Sequence, residues 1–141
     1  ADLSNAELYN TQLMGANLSE ANLSGADLQK AQLTNTNLYR ANLTSAWLAS
    51  AQLQDANLSQ ANLFKSTLNS ANLQDADLSQ ANLMEASLIK ANLQDVDLQD
   101  ADLNKTILFK ASVSKAALIK AQLCLTSLPD YTMRSRDCDR S

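Results

Sequence analysis

The chain has 141 residues, a formal net charge of −4, two glycines, two cysteines and no histidine. That length bounds a single domain, and so mild a charge excludes a general polyanion binder held by electrostatics. No apolar run reaches the about 18 residues of a membrane span, and no secretory signal is visible.

From Ala1 to Asp130 the sequence divides into 26 consecutive words of five, with no insertion or deletion. Label the positions a to e, with Ala1 at a and Leu3 at c. Position c is Leu in 25 words and Val113 in the other. Position a is Ala in 20 words; the others hold Thr11, Thr36, Ser66, Val96, Thr106 and Thr126. A helix turns about 100° per residue, so a leucine at every fifth position would spiral over all its sides and form no stripe. A plain strand fails too, because an odd period sends successive leucines to opposite faces. Positions a and c are two apart, so they share a side within one short extended segment. A corner at d and e in every word would let all of them point inward. The chain then becomes a polygonal coil, all-β in class, with Ala and Leu filling its axis.

Words such as Ala16-Asn17-Leu18, Ala56-Asn57-Leu58 and Ala101-Asp102-Leu103 resemble the A(D/N)LXX words of the pentapeptide-repeat family. The resemblance covers residues 1–130. It implies a right-handed quadrilateral β-helix with four words per coil, a small and inward, c large and inward. On that reading the 26 words make about 6.5 coils, a rod roughly 31 Å long at about 4.8 Å per coil. The expected organisation is a repeat domain over residues 1–130 and a capping tail over 131–141.

The first residues stand in phase with the repeat, and solenoids need their ends covered. A processed or trimmed leader is therefore expected upstream. Residues 1–50 are rich in Asn, Ser and Thr at outward positions, and hold Tyr9, Tyr39 and Trp47, read as scattered exposed aromatics. Gly15 and Gly25 are the only glycines, both at e. Since the other corners lack glycine, a positive φ at e is not expected. Asn22, Asn42, Asn62 and Asn82 would share one column and could form an amide ladder.

Further along, Asp55, Asp75 and Asp95 would stack as like charges, a column that a cation such as Ca²⁺ could bridge. Lys105, Lys110, Lys115 and Lys120 would ring one coil, with Lys105 above Glu85, Lys115 above Asp95 and Lys120 above Asp100. Outward apolar residues gather late. Phe64 and Met84 fall in one column; Ile89 and Phe109 fall in another, with Ile107 beside them. This is the candidate partner surface. After Asp130 the code breaks, and Leu125 and Met133 are expected to anchor the tail. Cys124 and Cys138 read as a disulfide worth about 3 kcal/mol, with two free thiols as the alternative. A disulfide implies an oxidising compartment.

No His, no glycine-rich phosphate loop and no nucleophile with a neighbouring base argue against an enzyme. No cofactor or metal site is expected, and nucleic acid is an unlikely partner on charge grounds. The reading is a non-catalytic structural or protein-interaction module with an unknown protein partner. The resemblance implies the periplasm or the thylakoid lumen, because many such proteins of cyanobacteria and chloroplasts are exported there. Its alternative is a DNA-mimicking regulator of DNA gyrase. The modest charge, the late lysines and Leu rather than Phe at c depart from that pattern.

Overall fold

The computed structural model describes residues 1–138. Position b of each word pairs in parallel with position b twenty residues later, from Asp2 with Asn22 through Asn92 with Ser112. Twenty residues are four words, so each coil has four walls. Walls 1 to 4 begin at Ala1, Ala6, Thr11 and Ala16 and recur at that interval. Inside, a and c fill the axis: Leu23 through Leu78 and their alanines are at most 2 % exposed.

Backbone accounting explains the code. In the word Ala71–Asp75, the Ala71 N–H donates to Leu68 O in the preceding word, closing the corner. Asn72 N–H donates to Ala51 O of the coil before, and Leu73 and Asp75 N–H donate to Asn92 O and Gln94 O of the coil after. That leaves one donor, the d-position N–H of Gln74, and it goes to Oδ1 of Asn72 at 3.1 Å. All five donors are thus satisfied, as a chain wound this tightly requires. Asn or Asp is favoured at b because its short carboxamide or carboxylate reaches the N–H two residues on. In the same way Gln29 N–H donates to Asp27 Oδ1, Ser59 N–H to Asn57 Oδ1 and Ser79 N–H to Asp77 Oδ1. The expected amide ladder is present but secondary: Asn82 Nδ2 donates to Asn62 Oδ1 at 3.3 Å, and Asn42 to Asn22 at 3.5 Å.

The corner differs from expectation. Every e residue from Asn5 to Lys110 has φ between 55° and 71°. With the a-to-c hydrogen bond closing each corner, positive φ at the third turn residue is the type II signature. Glycine is not needed, because the e N–H also donates to the next coil, and these bonds offset the about 1 kcal/mol that a left-handed L-residue costs. Replacing exposed Ser70, at φ 60°, should then stabilise the protein by about 0.5–1 kcal/mol as Ser70→Gly and destabilise it by a similar amount as Ser70→Val. Urea unfolding midpoints check this. Where position a is not Ala, a hydroxyl often serves the wall: Thr106 Oγ1 donates to Leu83 O, and Thr126 Oγ1 to Leu103 O, both at 2.7 Å.

The repeat stays in sequence phase past Val113, but the chain does not stay in the coil. Ser114 caps a helix, α1 (Lys115–Ile119), its Oγ accepting from Ala117 N. The wall 4 pairing accordingly stops at Asp77 with Asp97, while walls 1 and 2 continue to Gln122 and Ser127. The lysine ring therefore does not close: Lys115 lies in α1. Among the described residues the corner columns hold one ion pair, Lys65 with Glu85 at 4.0 Å, rather than the pairs expected for Lys105, Lys115 and Lys120.

Two short strands, β1 (Thr126–Ser127) and β2 (Met133–Arg134), pair antiparallel and bring the tail back. The Thr132 hydroxyl and N–H both donate to the Asp130 carboxylate in this turn, holding its pKa below the ordinary value. The contribution of that group is present above the usual carboxylate pKa and is lost as pH falls through the lowered one. Leu125 and Met133 do not anchor the tail; they are 46 % and 60 % exposed. The anchors are polar. Arg136 Nη2 donates to the carbonyls of Leu118, Ile119 and Ala121. Its Nε meets Asp137, whose Oδ2 accepts from Leu123 N at 2.9 Å. Open carbonyls at the helix end need donors, which an aliphatic anchor cannot supply. The Cys124–Cys138 disulfide then ties the tail to wall 1.

Candidate interaction surface

Wall 3 carries Gln12, Gln32 and Gln52 at b but returns to Asn72 and Asn92, whereas wall 2 does not return to a short amide. The wall 2 b column reads Glu7, Asp27, Trp47, Thr67, Ser87, Ile107 and Ser127. After Asp27 no Asn or Asp is left to hold the d-position N–H. One repair is visible: Asn69, from the coil before, accepts both Ile89 N at 3.0 Å and Ser87 Oγ at 2.6 Å. A wall that gives up its structural amide frees those positions for other side chains.

The side chains it presents are apolar. Ile89, Ile107 and Phe109 stand on wall 2, and Phe64 and Met84 share a column on adjoining wall 1. All five are half-buried rather than projecting. The Phe109 ring is partly covered by Tyr131 from the tail, with centroids 4.6 Å apart. The tail thus extends the apolar wall, a contribution the broken code after Asp130 concealed. Lys65 lies over the Phe64 ring at 5.3 Å, so the wall 1 part of the patch is already partnered.

Trp47 was set aside in the sequence as one scattered aromatic. It is 55 % exposed. Tyr9, Tyr39 and Phe64 each carry a cation over the ring, and Phe109 and Tyr131 hold each other. Among the described residues Trp47 alone of the aromatics has no such partner. Its outward neighbours within the word are Ala49 and Ser50, and Asp27 and Thr67 flank it in the column. The signal in the sequence was the column: Trp47 and Ile107 are three coils apart at the same position.

An acidic stripe lies on another side of the coil. Asp55, Asp75 and Asp95 follow the corner between walls 3 and 4, beside Asp77 and Asp97 of wall 4. Among the described residues no three carboxylates, thiols or imidazoles come together as a metal-ligand set. No helix among them is long and apolar enough to cross a membrane.

The family model for pentapeptide repeats matches in eight copies, over residues 1–19, 16–51, 48–84, 66–104 and 86–123. No match is found among curated proteins. Among solved structures, a pentapeptide repeat protein of the Arabidopsis thaliana thylakoid lumen superposes with a TM-score of 0.69 at 20% identity, over 93% of this chain and 88% of that one. The pentapeptide repeat protein Rfr23 of the cyanobacterium Cyanothece 51142 is 32% identical, with a TM-score of 0.58 over 74% of this chain and 82% of its own. A trypsin-treated form of QnrB1, a plasmid-mediated fluoroquinolone resistance protein, gives 0.57 at 20% identity, over 90% and 67%. The repeat code, the twenty-residue coil and these likenesses agree: the chain belongs to the pentapeptide-repeat family.

Proposed function

We propose that the protein is a non-catalytic interaction module, a right-handed quadrilateral β-helix of about 6.5 coils that docks a protein partner on wall 2. The observation that carries this is the loss of the b-position amide along that wall, where Trp47, Ile89, Ile107 and Phe109 take over the surface. An exposed tryptophan without a ring or cation partner has the character of an interface anchor, and the half-buried aliphatics two and three coils further along the wall supply area. The hand of the coil follows the family. The Cys124–Cys138 disulfide supports an oxidising compartment, periplasm or thylakoid lumen. The likeness to a lumenal protein agrees with this but carries the fold alone at its identity.

A second reading has one observation in its favour. The acidic stripe of Asp55, Asp75, Asp77, Asp95 and Asp97 could present a DNA-like charge to a DNA enzyme such as gyrase. One experiment separates the two. A photo-crosslinking residue is placed at Ala49 on wall 2 or at Ser79 on wall 4, beside Asp77, and irradiated in an extract of the source compartment. A discrete adduct from position 49, weakened about 30-fold or more in affinity by Trp47→Ala with Phe109→Ser, is the expected result. An adduct from position 79 alone would transfer the function to the acidic stripe.

A further inference from the structure

The coil ends on a layer formed by Val113, Leu118, Leu123 and Leu128, the c residues of the last four words. Layers nearer the middle are sealed, with Leu58 and Leu78 at 0 % exposure. Here Val113 and Leu128 remain only half-buried. The tail that crosses this layer turns Tyr131 and Met133 outward, 58 % and 60 % exposed. Toward the layer it presents Thr132, Arg134 and Arg136 instead. Between the aliphatic floor and the polar tail lies a cleft of about 450 Å³, a size usual for a small-molecule site.

Its lip is cationic. Among the described residues Lys115, Arg134 and Arg136 line it, against one carboxylate, Asp130. Arg136 is committed to Asp137 and to the carbonyls at the end of α1. Asp130 accepts both donors of Thr132. Arg134 lies close enough to Asp130 to help hold its pKa down, while Lys115 forms no ion pair within 4.0 Å among the described residues, so the lip keeps an excess of positive charge. An apolar floor beneath a lip with excess positive charge suits a molecule with an aliphatic body and one anionic head, since neither half is matched by water alone.

We infer that this end of the solenoid binds a medium-chain amphiphilic carboxylate. Its chain lies on Val113, Leu118 and Leu128, and its carboxylate meets Lys115 and Arg134. The site adjoins the end of wall 2, sharing the word Thr126–Asp130 and the tail that carries Tyr131, so it is tested on the protein without a partner. Calorimetry on the oxidised protein tests it with three probes of equal chain length: sodium decanoate, decanol and decyltrimethylammonium. Decanoate should bind with one site per chain and about ten-fold more tightly than decanol, and the ammonium should not saturate. The double variant Lys115→Gln with Arg134→Gln should lose that preference while keeping its affinity for decanol. Both residues are exposed, so neither change threatens the fold. Absence of saturable decanoate binding, equal affinity for all three heads, or an undiminished preference in the double variant would each overturn the assignment.

Discussion

Leu78→Ala is expected to lower the unfolding free energy by about 3–5 kcal/mol, while Leu8→Ala costs only about 1–2. Both residues occupy position c of their words, and the intrinsic change is identical. What differs is the stack around them. Leu78 is 0 % exposed, with a full leucine layer above and below. Its deletion leaves a void that both neighbouring coils border and that neither can fill, because their backbones are fixed by the ladder through Leu78 N and Asp97 O. Leu8 lies in the first coil and is only half-buried. Part of its surface already meets water, so less transfer energy is lost and the gap opens outward. In a one-dimensional array the centre couples to two interfaces and the end to one. Urea unfolding of both variants, followed by far-UV circular dichroism, measures the contrast. Equal losses would mean that the leucines do not act as a shared axial stack.

The stack was legible because two spacings act together: a and c two apart within a word, and words five apart along the chain. Those numbers alone place Leu23 to Leu123 inside. The corner was misread for a physical reason. Counting glycines treats positive φ as a steric demand, yet Asn5, Lys30 and Asp55 adopt it, since the next coil supplies the bond that holds them there. The interruption at α1 left a trace in Val113 and in the Ala- and Leu-bearing run after Ser114, a helix-start pattern. It was masked because the five-residue phase continues through it. The tail was misread by ranking anchors on hydrophobicity; at a helix end the open carbonyls decide, and Arg136 answers them. Wall 2 needed a column view. Read along the chain, Trp47, Thr67 and Ser87 are three isolated exceptions. Read twenty apart, they are one wall that has lost its amide.

Removing the disulfide, as Cys124→Ala with Cys138→Ala, should cost about 3 kcal/mol, and the loss should be confined to the C-terminal end. The crosslink spans a sequence separation of 14, and without it docking the tail must overcome the conformational entropy of the free segment. What remains to hold residues 129–138 is mostly one group of polar bonds. These are Arg136 on the carbonyls of α1, Asp137 Oδ2 on Leu123 N, and Asp137 N on Leu123 O at 3.1 Å. Bonds of that kind contribute about 1 kcal/mol each, or more where a charge is involved, and Arg136 is partly open to water. They close when the tail is tethered and compete with solvent when it is not. Once the tail leaves, α1 loses the donors at its end and the layer of Val113, Leu118 and Leu128 faces water. The coils below keep their own ladder, so opening should stop near Ala111 rather than run the length of the rod. Hydrogen exchange resolves this. In the variant, amides from residues 114–137 should lose protection, with Leu123 the most telling, while Leu58 and Leu78 keep theirs. The decanoate preference should vanish in the same protein, because its cleft has the tail for one side. Should protection fall uniformly from Leu23 to Leu123, the disulfide would instead be a clamp on the whole solenoid, and the end would not be a separable unit.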